Sequence, residues 1–206
     1  MRRSAVHYVH PDKPAQLFIN EVSTNSPMIT LPRPIYDEII AHAQAGAPQE
    51  VCGILSGRDG VATELVRARN EAANPVMDYW VDGQTLLKQF DFEERGEEMI
   101  AIYHSHPVDP PYPSATDARN AFYPDAVYLI CSLLQPEQPT IRGWRLVQEE
   151  LAERPSQLQA VRGNPRFWAQ HRRGEHEDAY DLVIVEEDGR ERWLRVRVIE
   201  QAIVVT

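Results

Sequence analysis

Residues 99–117, MIAIYHSHPVDPPYPSATD, decide the fold. The apolar run 99–103 is too short for a helix and is not interrupted by polar residues, so it predicts a central strand buried on both faces. His104 follows at the exit of this strand. The proline-rich stretch 107–113 then predicts a loop, and residues 114–122 predict a helix behind it.

Three side chains in this segment have the spacing of a metal site. His104 and His106 lie at i and i+2, so on an extended chain they point to the same side. Asp117, on the first turn of the predicted helix, can close a three-ligand set. Two imidazole nitrogens and one carboxylate oxygen suit Zn²⁺ with an open fourth position for water, as in catalytic zinc sites. Zinc brings the pKa of such a water toward about 7, so the set lacks only a general base.

Ser114 and Asp117 also fit a simpler role in helix capping. Ser114 suits the N-cap position, and the helix dipole favours an acid in the first turn. The two interpretations are compatible, because an aspartate that binds a metal can still lie at a helix N-terminus.

Glu50 is the candidate base, because it stands at the mouth of the predicted strand 51–56, where a carboxylate could reach the metal-bound water. Its position alone does not select it among the many acids of the chain. Cys52 lies close by in sequence and is an alternative nucleophile, but nothing nearby would lower the pKa of its thiol.

Two segments together resemble the JAMM signature of the JAB/MPN metallopeptidases. The first is QEVCGILSG, residues 49–57, and the second is the pattern His-x-His-x₇-Ser-x₂-Asp that begins at His104. The resemblance covers about residues 31–147. It implies an α+β fold with a mixed central sheet and flanking helices, related to the cytidine deaminases.

The resemblance also implies a role for each residue of the signature. One zinc ion per chain would be held by His104, His106 and Asp117. Glu50 would take a proton from the attacking water and return it to the leaving amine, and Ser114 would stabilise the tetrahedral oxyanion.

Family resemblance implies hydrolysis of the bond after the C-terminal tail of a ubiquitin-like protein. An alternative substrate is a sulfur-carrier protein, from which cysteine or a C-terminal extension would be released. The second alternative is a non-catalytic MPN scaffold. The complete ligand set and the glutamate argue against it. The prolines of the 107–113 loop predict a narrow wall beside the metal, suited to a small-residue tail such as Gly-Gly.

The rest of the chain divides into three parts. Residues 1–27 are predicted to be a tail or an edge element with a short strand over 16–22, and residues 28–148 to be the metallopeptidase domain. Residues 149–206 are predicted to be an extension with a helical stretch over 155–173 and a β-hairpin around Asp188-Gly189.

Within the metallopeptidase domain, the apolar spacing predicts two helices and several strands. The helices are expected to lie over 35–43 and 82–96. The strands are expected to form a hairpin over 51–69, a brief strand at 79–81, and two strands over 126–134 and 140–147.

Composition excludes several classes of partner. The 206 residues carry 21 Lys and Arg against 31 Asp and Glu, a net charge of −10, which argues against binding to nucleic acid or to an anionic membrane. No apolar run is long enough to cross a bilayer. Cys52 and Cys131 have apolar neighbours and predict buried thiols, so we expect a cytoplasmic protein. The sequence leaves a homodimer open.

Overall fold

The computed structural model describes residues 28–174 and 177–206. The predicted N-terminal element 1–27, with its short strand, lies outside the described residues. No helix in the described part of the chain is both long and apolar enough to span a membrane.

The described residues form one mixed sheet with short helices, the α+β fold that the sequence predicts. The helices are α1 (Arg33–Gly46), α2 (Gly83–Leu86), α3 (Lys88–Glu94) and α4 (Ala115–Arg119). The strands are β1 (Ile29–Leu31), β2 (Cys52–Arg58), β3 (Val61–Ala68), β4 (Glu98–His106), β5 (Val127–Ser132), β6 (Thr140–Glu150), β7 (Gln159–Ala160), β8 (Phe167–Arg173), β9 (Asp178–Val185), β10 (Glu191–Gln201) and β11 (Ile203–Val205).

The apolar run 99–103 lies in β4, in the middle of the sheet. The strand order is β11-β1-β3-β2-β4-β5-β6-β10-β9-β8-β7. β4 pairs antiparallel with β2 and parallel with β5, which confirms the predicted central strand. The strand continues to His106 instead of ending at Tyr103, so both histidines are part of the sheet.

The last two strands close the sheet on itself. β10 pairs with β6 from Leu194 to Gln201, and β11 pairs with β1. Only Ala202 separates β10 from β11, and its carbonyl accepts a hydrogen bond from Ile29 N–H at 3.1 Å. One continuous stretch of chain therefore contacts both ends of the six-strand sheet from β1 to β6 and joins them.

Most of the locally encoded elements are confirmed. The hairpin of β2 and β3 turns at Asp59 and Gly60, whose positive φ values of 52° and 75° match a two-residue type I′ turn. The helix predicted over 35–43 is α1. The helix predicted over 82–96 begins at its N-cap Asp82, which accepts a hydrogen bond from Thr85 N–H, but it is interrupted at Leu87.

Two predictions are wrong. The brief strand at 79–81 is reduced to a single bridge between Asn70 and Val81. The helix over 155–173 is replaced by β7, a 3₁₀ turn at Val161–Gly163 and β8. Gly163 and Pro165 interrupt any helix there, and pairing of Phe167 with Ile184 in β9 buries the phenylalanine.

The C-terminal strands share a core with the strands around β4. Leu182 and Val196 of the extension belong to the same buried cluster as Ile54, Ile102 and Ile130. A second cluster on the opposite face of the sheet contains the buried side of α1. Strands β8 to β10 therefore complete the hydrophobic core on the face that carries His104.

Leu182→Ala should lower the free energy of unfolding by about 2–5 kcal/mol, because Leu182 is fully buried in this shared core. We expect a single transition in denaturant titrations followed by circular dichroism. Leu87→Ala is the control, since that leucine is 60% exposed. A separate second transition for the C-terminal strands would contradict the shared core.

Candidate metal centre

Strand β4 and helix α4 bring three ligand atoms together. His104 Nε2 and His106 Nε2 are 3.1 Å apart, and both imidazoles are buried on the same face of the strand. Asp117 Oδ1 lies 3.5 Å from His104 Nε2, and Asp117 Oδ2 lies 3.5 Å from His106 Nε2. The predicted spacing of the three residues thus corresponds to a real convergence in space.

These distances fit a metal ion. Ligands at 2.0–2.1 Å from a tetrahedral zinc would be separated from each other by about 3.3 Å. The lone pairs of two imidazole Nε2 atoms 3.1 Å apart repel each other unless a proton or a cation lies between them. His104, His106 and Asp117 therefore form a group that could hold a metal ion.

A capping box at the start of α4 orients the carboxylate. Ser114 N–H donates to Asp117 Oδ2 at 2.7 Å, and Asp117 N–H donates to Ser114 Oγ at 3.1 Å. The predicted capping role is confirmed, and the same hydrogen bonds fix the direction of the ligand oxygens. Burial acts to raise the pKa of Asp117, but His104 and His106 hold it well below its usual range.

His106 is oriented by a backbone carbonyl. Its Nδ1 donates to Pro110 O at 2.8 Å, which turns Nε2 toward His104 and Asp117. Burial acts to lower the pKa of His106, but Asp117 and the Pro110 carbonyl raise it to about 9. The surroundings of His106 Nε2 therefore favour a positive charge.

His104 has an apolar and aromatic environment. Its ring stacks on Tyr79, with the ring centroids 4.1 Å apart. Its Nδ1 has no hydrogen-bond partner among the described residues. Burial lowers the pKa of His104, which favours the neutral ring, the form that binds metals.

Glu50 lies directly before β2 and is almost fully buried. Its backbone is held on both sides, because Glu50 N–H donates to Pro75 O at 2.7 Å and Asn70 Nδ2 donates to Glu50 O at 2.9 Å. Burial, and then repulsion by Asp117, raise the pKa of the carboxyl to about 8. A carboxyl group that titrates near neutrality can both accept and return a proton.

Cys52 does not have the properties of a nucleophile. Its side chain is buried, and burial together with Asp82 and Glu50 raises the pKa of the thiol to about 12. The thiol therefore stays protonated at neutral pH.

The proline-rich loop is anchored by four side chains, three of which the sequence analysis did not identify. Prolines cannot donate backbone hydrogen bonds, and here the loop carbonyls accept bonds from side chains of four different strands. The pairs are Ser132 to Asp109 O, His106 to Pro110 O, Trp144 to Pro111 O and Tyr180 to Pro113 O. Only pairing between distant strands brings Ser132, Trp144 and Tyr180 to the loop, so no local sequence pattern predicts these three donors.

Comparison with known proteins identifies a family for the part of the chain that carries the site. The model of the family described as prokaryotic homologs of the JAB domain matches residues 32–147. This range contains Glu50, both histidines, Ser114 and Asp117.

Two curated relatives are similar over most of their own lengths. A desampylase of Haloferax volcanii is 41% identical over 104 residues, which is 47% of this chain and 74% of the relative. A CysO-cysteine peptidase of Mycobacterium tuberculosis is 32% identical over 124 residues, which is 59% of this chain and 84% of the relative.

One solved structure extends the similarity beyond the family match. A solution structure of a Desulfitobacterium hafniense protein is 27% identical and covers 87% of this chain and 93% of its own, with a TM-score of 0.55. Because 87% of this chain is covered, the similarity must include residues outside 32–147. Strands of the C-terminal region therefore belong to the common fold.

His106→Ala should abolish stoichiometric zinc binding, because it removes one of three converging ligand atoms. We expect one zinc per wild-type chain. Mutation of residues that only hydrogen-bond to metal ligands lowers affinity by up to roughly 100-fold, and loss of a ligand itself should lower it further. Competition with a chromophoric chelator measures both. His42→Ala is the control, since His42 bonds to Tyr103 and lies outside the ligand group. Full zinc retention by His106→Ala would contradict the assignment.

Proposed function

The chain belongs to the family of prokaryotic homologs of the JAB domain, and from this membership we propose a zinc-dependent peptidase that acts on ubiquitin-like or sulfur-carrier proteins. The chain is a hydrolase, as its relatives named desampylase and CysO-cysteine peptidase are. One observation carries the proposal: His104, His106 and Asp117 bring three ligand atoms within 4.8 Å of one another in a buried group that could hold a metal ion.

His104, His106 and Asp117 would hold the zinc, which supplies Lewis acidity and a lowered pKa for water. Glu50 takes a proton from the attacking water as the water adds to the scissile carbonyl. Glu50 then gives this proton to the leaving amine nitrogen, so the C–N bond breaks into an amine and a carboxylic acid, which releases its own proton to water. The raised pKa of about 8 brings proton uptake and release by Glu50 closer to neutral pH.

Ser114 is the proposed donor to the oxyanion. Its Oγ accepts the hydrogen bond from Asp117 N–H, which leaves the hydroxyl proton free to donate in another direction. A donor held where negative charge develops lowers the barrier to addition. Capping and oxyanion stabilisation then use different parts of the same hydroxyl group.

An exposed aromatic surface supports a folded protein as the substrate. Trp80 and Phe122 are about half exposed, and their ring centroids lie 6.1 Å apart. Tyr79, which stacks on His104, lines the same apolar cleft. Exposed apolar surface beside a catalytic centre is typical of a site that binds another protein.

The wall formed by the 107–113 loop supports a narrow path for the tail. Three hydrogen bonds from distant strands and a fourth from His106 itself fix the backbone of this loop. A fixed wall beside the proposed zinc cannot move aside for large side chains, and on this basis we propose a tail that ends in Gly-Gly. Cleavage of a ubiquitin-like conjugate and release of cysteine from a sulfur carrier use the same chemistry. The complete ligand set and Glu50 favour either of them over a non-catalytic scaffold.

A cytoplasmic location and a possible homodimer belong to the same proposal. Cys52 and Cys131 are free and buried, which suits a reducing compartment. Size-exclusion chromatography with light scattering determines the oligomeric state.

Glu50→Gln should keep the zinc but lower kcat by about 10²- to 10⁴-fold, because the amide cannot carry the proton. The substrates are a ubiquitin-like protein and a sulfur carrier, each extended through a Gly-Gly tail, and intact mass measures the products. Glu137→Gln, in an exposed turn, is the control. Hydrolysis by Glu50→Gln at the wild-type rate would assign the base to another residue.

Cleavage should require the folded body of the substrate. We expect kcat/KM for the full fusion to exceed that for a free peptide with the same tail by more than about 10-fold, since a short tail buries little surface. Trp80→Ala should reduce this preference. Val61→Ala, an exposed apolar residue at the far end of the hairpin, should not. Equal values for both substrates would instead identify a general peptidase.

A further inference from the structure

The loop that holds the backbone of Glu50 is itself exposed. We call residues 74–78 the base-holding loop, because Pro75 O accepts the Glu50 N–H bond at 2.7 Å. Asn70 also links Glu50 to the base-holding loop, since its Nδ2 donates both to Glu50 O at 2.9 Å and to Asp78 O at 3.0 Å. The position of this loop therefore helps to set the position of the Glu50 backbone.

A single arginine from the C-terminal region holds the base-holding loop from outside. Arg162 Nη1 donates to Asp78 Oδ1 at 2.6 Å, and Arg162 Nη2 donates to Met77 O at 2.7 Å. The two bonds use the fork of the guanidinium, which a point charge cannot reproduce. Arg162 lies outside the range 32–147 that matches the family.

The backbone at Arg162 is in an unusual conformation. Its φ of 49° and ψ of 33° are left-handed, and Gly163 follows with a φ of 71°. A non-glycine residue in this region is strained and persists only where its surroundings hold it. Glycine would adopt this conformation more easily, so an arginine at this position raises the conformational energy of the backbone.

We propose that Arg162 is a positioning residue, which fixes the base-holding loop and through it the backbone of Glu50 beside the metal centre. This proposal rests on the proposed role of Glu50. A base must lie within hydrogen-bond distance of the proton that it removes, and a displacement of about 1 Å can cost 100-fold in rate.

Stability and catalysis should respond differently to loss of this side chain. The Arg162 and Asp78 side chains are 41% and 31% exposed. Exposed ion pairs contribute little to global stability, so the melting temperature should hardly change. The effect should instead appear in the turnover of substrate.

The kinetic test compares Arg162→Ala with Arg154→Ala, which removes the same charge from another exposed ion pair, to Glu191, in the same region. We expect kcat to fall about 10- to 100-fold in Arg162→Ala with KM within two-fold of the wild type, and no change in Arg154→Ala. Arg162→Lys should recover part of the rate, because an ammonium can reach Asp78 without the second bond. An increase in KM alone, or an unchanged kcat, would overturn the positioning role.

A second measurement does not depend on activity. Hydrogen exchange of the Glu50 amide, followed by NMR, should be about 10-fold faster in Arg162→Ala than in the wild type and in Arg154→Ala. Asp78→Ala, which removes the partner instead of the arginine, should show the same change. Unchanged exchange in both variants would overturn the proposal. A wild-type protein that cleaves neither fusion would contradict the proposed function, while the exchange data would still report on Arg162.

Discussion

Strand β4 is hydrogen-bonded along both edges, to β2 and to β5, and this double pairing fixes the register of its residues. Because side chains alternate along a strand, a shift of one residue would turn His104 and His106 to the opposite face. Ser105, between them, points the other way and accepts a hydrogen bond from Val51 N–H at 2.9 Å. Strand β4 thus presents the candidate ligands on one face, and Ser105 on its other face holds Val51, the neighbour of Glu50.

The third candidate ligand, Asp117, depends on a short helix, and the contacts that stabilise this helix also orient the carboxylate. α4 has only five residues, so its first turn relies on the reciprocal bonds between Ser114 and Asp117. Those bonds satisfy backbone groups that the helix leaves unpaired, and they also aim the carboxylate. The interpretation as a cap and the interpretation as a metal site describe one arrangement.

Local patterns predicted the elements whose signals lie within a few residues. The apolar run before His104, the Asp59-Gly60 turn and the spacing of Ser114 and Asp117 are of this kind. The helix expected over 155–173 failed because the partner that buries Phe167, in β9, is distant in sequence. For the same reason the donors to the proline-rich loop and the bonds of Arg162 could not be anticipated. Such contacts depend on which strands become neighbours, and residue type does not encode that choice locally.

The joining of β11 to β1 has a consequence for how the protein reaches its native state. Ile29 pairs with Ile203, so the sheet closes only when segments at opposite ends of the described chain meet. Contacts this far apart in sequence give a high contact order, and the entropy of closing so large a loop slows folding. Until that step, the edge of β1 that β11 covers stays unpaired and is open to association between chains. The late pairing of β11 therefore raises the risk of aggregation during synthesis, when a nascent chain would benefit from chaperones.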